Sequence, residues 1–105
     1  MKKQILEYER VRRVPSHFSW VDHRLVRHHY IEQAGAASWA LYLVLLTVGD
    51  EHGLSFYSDK TLSAMLSLDL DVLAAARVQL IRAGVLAYSA PLYQVLDLAA
   101  EANQP

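Results

Sequence analysis

The sequence predicts a mainly α fold closed by a small β-hairpin, with an N-terminal arm and an extra helix ahead of it. Three observations carry this expectation. The run "LSLDLDVLAAARVQLIRAG" (66–84) has a small turn, a capping residue, apolar residues at helical spacing and a closing glycine. Beyond Gly84, two apolar stretches containing tyrosine, 85–88 and 92–96, flank the short turn "SAP" and read as paired strands. Before Pro15 the chain is rich in basic residues and reads as an extended arm, because proline disfavours helix at Val14.

The elements follow in order. In "SWVDHRLVRHHYIE", Ser19 has capping-box spacing to Asp22, and Val21, Leu25 and His28 or His29 share a face, so a first helix is expected, broken near Gly35. The next helix, 37–48, begins at Ala36 or is capped by Ser38, and ends at Gly49 or Gly53. Ala37, Leu41, Leu45 and Val48 line one of its faces, while Trp39, Leu43 and Leu46 line others. A helix apolar nearly all round needs cover on more than one side. The compact C-terminal part supplies one cover, segment 16–34 or a second subunit must supply another, and a homodimer through this helix is expected. "LSFYS" is a short strand. Ser58 caps the helix "DKTLSAMLS", with Leu62, Met65 and Leu66 inward and Asp59 at the positive end of its dipole. Asp69 caps the following helix, 69–83. Two short helices crossing steeply need small residues at the contact, here Ala64 and Ala76, and an apolar plug in the turn, here Leu68. The resulting organisation is a basic arm with a short helix (1–35), a compact domain (36–98) and a frayed tail (99–105).

Bulk properties narrow the function classes. The 105 residues are one domain's worth, and 53% hydrophobic with 20% charged residues describe a folded chain. No cysteine is present, which excludes disulfides and thiolate metal sites and fits a reducing cytoplasm. The start "MKKQILEYERVRRV" has no apolar stretch of the kind a secretory signal needs. The most apolar run, Trp39 to Leu46 extended by Val48, falls far short of the roughly 20 residues that span a bilayer. A cytoplasmic protein with no membrane contact is expected.

The formal net charge of −1 conceals an asymmetry. Residues 1–30 hold seven Lys/Arg against three Asp/Glu, a net of +4; residues 31–105 hold three against eight, a net of −5. Four of the five histidines (His17, His23, His28, His29) lie in the basic part and add charge below about pH 6.5. Such an arm suits phosphate, and it equally suits the acidic body of a second copy.

From about residue 36 to 98, some 60% of the chain, the sequence resembles the winged helix-turn-helix superfamily. The residues carrying the likeness are "SDKTLSAMLSLDLDVLAAARVQLIRAGVLAY": Leu62, Leu66 and Leu68 around the turn, Asp69 as cap, Leu73, Ala76 and Leu80 inward, and Gly84-Val85-Leu86 opening the hairpin. The pattern looks like that of GntR-type regulators and replication-initiator winged helices. The upstream "VPSHFSWVDHRLVR" is similar to small stand-alone helix-turn-helix proteins of bacterial genomes and mobile elements. The resemblance implies that helix 69–83 enters the major groove, that the hairpin 85–98 acts as a wing, and that double-stranded DNA is the partner.

The outward face of that helix departs from the pattern. Leu70, Asp71, Ala74, Ala75, Val78 and Gln79 stand where such helices usually carry Arg, Lys, Asn or Gln. Asp71 can accept from cytosine N4, and Ala74, Ala75 or Val78 can touch a thymine methyl. Yet Asp69 and Asp71 also repel phosphate, whose neutralisation supplies most of the affinity. The candidate phosphate contacts are Arg10, Arg12 and Arg13 of the arm, Lys60 early in the first helix of the pair, and Arg77 and Arg82 on the second. Each has an ordinary structural alternative. The arm can be a solvated tail or a tether to an acidic surface, Lys60 a solvated lysine, Arg82 a charge suited to a helix C-terminus, and Arg77 a half-buried stem paired with Asp59 or Asp69. Arg24 and Arg27 share a helix face and either extend a basic stripe or flank a packing seam. Trp20 and Trp39 read as packing anchors, and Tyr88 and Tyr93 as a cross-strand pair.

No enzymatic chemistry is expected. His23, His28 and His29 lack the spacing of a metal-binding helix, the four glycines form no phosphate-cradling loop, and no nucleophile elbow is present. No cofactor or metal is implied. The sequence therefore predicts a DNA-binding protein, a regulator or an accessory factor in replication or transposition. The alternative is a winged-helix interaction module whose third helix binds a protein partner or a second subunit.

Overall fold

The computed structural model describes residues 2–98. Four α-helices and one small antiparallel sheet follow one another: α1 (Arg24–Arg27), α2 (Ala36–Val48), β1 (Leu54–Phe56), α3 (Asp59–Leu66), α4 (Leu70–Arg82), β2 (Leu86–Ser89) and β3 (Leu92–Val95). Single 3-10 turns lie at Tyr8–Arg10 and Ile31–Gln33.

The core forms where α2 and α4 pack together and the sheet closes over them. Leu41, Leu45, Leu62, Leu73, Leu80 and Val85 are fully buried in it, with Leu86 and Tyr93. On α4 the inward residues are Leu73, Ala76 and Leu80, as their i, i+3, i+7 spacing requires. The expected hairpin is part of a larger unit. Strand β3 pairs with β2 on one side and with β1 on the other, giving the order β1-β3-β2. "LSFYS" is thus an edge strand of one three-stranded sheet, with Leu54 opposite Gln94 and Phe56 opposite Leu92.

Two glycines make these connections possible. Gly84 has φ +79° and closes α4. Its N–H donates to the Ile81 carbonyl (3.0 Å) and that of Val85 to the Leu80 carbonyl (3.2 Å), the pair of hydrogen bonds of a left-handed helix end. Gly53 has φ +80° and lies so close to β3 that a Cβ there would stand 2.5 Å from the Val95 carbonyl oxygen. Its own carbonyl accepts from the Val95 N–H (2.9 Å). Gly49, not Gly53, ends α2.

The largest departure from expectation is the first helix. It is one turn, and Ser19 does not cap it. His23 is its N-cap, and the residue before it, Asp22, braces the start: its Oδ1 accepts from the Arg24 N–H (2.8 Å), and its carboxylate also holds the Arg24 guanidinium (2.8 Å). His29 then takes a left-handed conformation, φ 63°, which a helix cannot continue through. Only Leu25 of this turn is buried. Smaller corrections follow from the same geometry. Met65 is 50% exposed and Ala64 is exposed, so Leu62, with the half-buried Leu66, carries the α3 core contact. Asp69 occupies the N-cap position of α4 without a side-chain hydrogen bond. The turn between α3 and α4 is instead tied by Ser63, whose carbonyl accepts from the Leu68 N–H (3.1 Å) and whose hydroxyl donates to the Leu68 carbonyl.

Helix α2 begins at Ala36 and is covered largely by its own chain. Leu41, Tyr42 and Leu45 are buried, and Trp39 donates from its indole to the Ile31 carbonyl (2.8 Å), which seats the 31–33 turn against it. The large apolar residues it leaves exposed are Leu43 (60%) and Val48 (37%). The expected tail, 99–105, lies outside the described residues. No helix among the described residues is long and apolar enough to cross a membrane.

Candidate nucleic-acid interface

On α4, positions 71, 75, 78 and 82 recur at i, i+4, i+7 and i+11 and so lie on one line, opposite the buried Leu73, Ala76 and Leu80. The most outward stripe is therefore Asp71, Ala75, Val78 and Arg82, all exposed. Its one acid and one base cancel. Asp71 accepts from the neighbouring Val72 N–H (3.0 Å), which holds its carboxylate at the start of the helix. Ala74 is half-buried beside this stripe, while Leu70 (57%) and Ile81 (43%) extend it with exposed apolar surface.

Arg77 does not join it. Its side chain is only 12% exposed and is held from three directions. Both guanidinium Nη atoms reach the Asp59 carboxylate (2.8 and 3.2 Å), Nη1 also donates to the Tyr93 hydroxyl (2.7 Å), and the group lies 4.3 Å over the Tyr88 ring centroid. The hydrogen bond from Arg77 holds the Asp59 carboxyl below its ordinary range, and the same bond raises the arginine's own pKa. Burial pushes the Tyr93 hydroxyl up, against the opposing effect of the guanidinium. Tyr88 and Tyr93 are register partners with ring centroids 4.5 Å apart, the expected cross-strand pair. This cluster fastens α3, α4 and the β2–β3 hairpin to one another. Arg77 positions the candidate surface from behind and is not available to phosphate.

Gln79 is exposed, as expected, but its amide oxygen reaches back to the body. Its Oε1 accepts from the Gly35 N–H (2.8 Å) and from the Ser38 hydroxyl (2.6 Å). Ser38 is buried and also lies 3.1 Å from the Ala76 carbonyl oxygen. The start of α2, which lacks a capping side chain of its own, is thus satisfied from α4. The sequence signal for this was weak: a serine three residues after a glycine reads as a local cap, and nothing local names a glutamine 41 residues on.

On the body, the remaining cations of the candidate set are Lys60, exposed in the first turn of α3, and Arg82, exposed in the last turn of α4. The arm differs. Residues 2–20 are exposed throughout, with Arg10 at the end of the 3-10 turn and Arg12 and Arg13 in extended chain. Among the described residues none of Lys2, Lys3, Arg10, Arg12 and Arg13 makes an ion pair. Arg24 is different again, bound to Asp22 and 3.9 Å from Asp97. His29 lies 3.0 Å from Glu32, which raises its pKa. Trp20, expected as a packing anchor, is 70% exposed.

No protein-family model, no curated protein sequence and no solved structure matches the chain.

Proposed function

We propose that this chain is a winged helix-turn-helix DNA-binding protein, in which α3, its turn, α4 and the β2–β3 hairpin present the docking surface and the N-terminal arm supplies the charge. The observation that carries the reading is the exposed arm, with five unpaired cations, joined to a body whose element order is helix, strand, helix, turn, helix, hairpin. Arg10, Arg12 and Arg13 neutralise phosphates, with Lys60 and Arg82 as flanking contacts. Asp71, Ala74, Ala75 and Val78 meet base edges and thymine methyls. A cytoplasmic regulator, or an accessory factor in replication or transposition, fits this arrangement. The test is fluorescence anisotropy of a labelled duplex at low and moderate salt. Binding of roughly micromolar strength that falls steeply with salt supports the reading; no binding at tens of micromolar protein and low salt overturns it.

A second reading has its own observation. Leu70, Val78 and Ile81 expose apolar surface on α4 beside Asp71, a composition suited to a protein partner. Leu70→Arg separates the two: it strengthens or leaves unchanged the binding of DNA, and it disrupts an apolar interface.

A further inference from the structure

A cavity of about 560 Å³ opens between the C-terminal end of α2, the loop 49–53, the segment after β3 and the root of the arm. Its floor is apolar: Tyr42, Leu45 and Leu98 are buried there. Phe18 and Trp20 stand along one side, 66% and 70% exposed. Four carboxylates line it. Asp22 is bound to Arg24, and Asp50 accepts from the N–H groups of His52 and Leu54 (2.8 and 2.9 Å), which lowers its pKa. Glu51 and Asp97 project from the rim, their side chains 85% and 87% exposed, Glu51 3.9 Å from the His52 ring nitrogen and Asp97 3.9 Å from the Arg24 guanidinium.

The arm has the complementary composition. Residues 2–14 hold five Lys/Arg against Glu7 and Glu9, a net of +3, and interleave them with Ile5, Leu6, Tyr8, Val11 and Val14, which are 52–93% exposed. Single exposed apolar residues are ordinary, but five in one basic segment form an uncovered surface. The arm leaves the molecule at Phe18–Trp20, on the cavity's own wall, and Pro15 favours extended chain at Val14. Residues 2–20 are exposed throughout, and the radius of gyration, 15.9 Å, exceeds the value of about 13 Å for a compact chain of this length.

We infer that the cavity receives the arm of a second copy, so that two chains exchange residues 2–14 reciprocally and close a two-fold dimer. Each copy offers one basic apolar arm and one acidic apolar-floored groove, and a two-fold axis satisfies both at once. This surface is separate from the exposed residues of α2 and α4, and the inference does not rest on DNA binding. Phosphate and the groove are alternative partners for the same cations.

The test is light scattering on the full-length chain at low salt across a concentration series, with thermal melts to verify folding. The wild type is expected as a dimer. A groove variant, Glu51→Lys with Asp97→Lys, and an arm variant, Arg10→Glu with Arg12→Glu and Arg13→Glu, are each expected to dissociate at least tenfold more readily. Mixing the two variants is expected to restore a one-to-one dimer, because each arm then faces a groove of opposite charge. A monomeric wild type, including one with its own arm folded into the groove, overturns the inference. So does a dimer that persists in both variants, or a mixture that stays monomeric. No DNA enters these measurements, so their outcome is independent of the proposed function.

Discussion

The arm and the body use their cations in opposite ways. In the body, Arg77 is drawn inside, held by Asp59, Tyr93 and Tyr88, and Arg24 is held by Asp22. In the arm, Arg10, Arg12 and Arg13 touch no carboxylate among the described residues and are exposed along with their neighbours. Under the proposed DNA-binding function, the contrast separates two tasks that many DNA-binding domains combine on one helix. The body is built to hold shape, with an outward α4 stripe of almost no net charge. The arm carries charge and contributes nothing to the core.

If that division is right, substitutions in the two regions must act on different observables. The largest stability effect belongs to the core: Leu45→Ala, at a fully buried site between α2 and the rest of the body, is expected to cost about 3 kcal/mol in urea unfolding. Arg77→Met should cost about 2 kcal/mol, because it leaves Asp59 and the Tyr93 hydroxyl without their donor. It should also loosen α4 against the hairpin, visible as faster amide exchange in both. Gly84→Ala has free space for its methyl group but must hold φ +79°, and about 1 kcal/mol of destabilisation is expected in the same assay. At the other end, replacing Arg10, Arg12 and Arg13 together by alanine should change the stability of the isolated monomer, measured at low protein concentration, by less than about 0.5 kcal/mol. A larger shift there would mean that the arm packs on its own body and would break the contrast.

Acid sharpens the same point. Asp59 has its folded-state pKa lowered by Arg77, and Asp50 by the backbone N–H groups it accepts from. Carboxylates lowered on folding add stability that is fully present above their unfolded value, about 3.9, and lost as the pH falls through the folded one. Thermal melts between pH 6 and 3, at roughly constant ionic strength, should therefore show the midpoint falling below about pH 4. In Arg77→Met the Asp59 part of that decline should be absent.

Much of the body was legible in the sequence because its signals are local. Helical spacing at 73, 76 and 80, the Ser58 cap, which accepts from the Thr61 N–H (3.1 Å), and the left-handed Gly84 all follow from residues a few positions apart. Asp59 was also recognisable as one of two partners for Arg77, since both lie within reach of a half-buried stem. The failures are non-local or finely balanced. The helix expected after Ser19 is one turn, started where Asp22 holds the backbone and side chain of Arg24 and stopped by the left-handed His29, neither of which periodicity registers. Gln79 is exposed as expected, but its role in holding Gly35 and Ser38 was hidden because these partners are set by how α2 crosses α4. The apolar circumference of α2 left two covers open, segment 16–34 or a second subunit; α4 and the 31–33 turn take much of it, while Leu43 and Val48 stay exposed. The groove was invisible for the same reason: Trp20, Tyr42, Glu51 and Asp97 are brought together by the fold alone.

The central claim is that the charge for DNA lies in the arm. It is tested most directly by the salt dependence of duplex binding, measured by anisotropy for the wild type and for the chain with Arg10, Arg12 and Arg13 replaced by alanine. If each arginine neutralises one phosphate, the slope of log Kobs against log salt should become shallower by about 2.7 in the variant. An unchanged slope and affinity would contradict the account and move the phosphate contacts to the body; no wild-type binding at low salt would remove DNA from the account altogether.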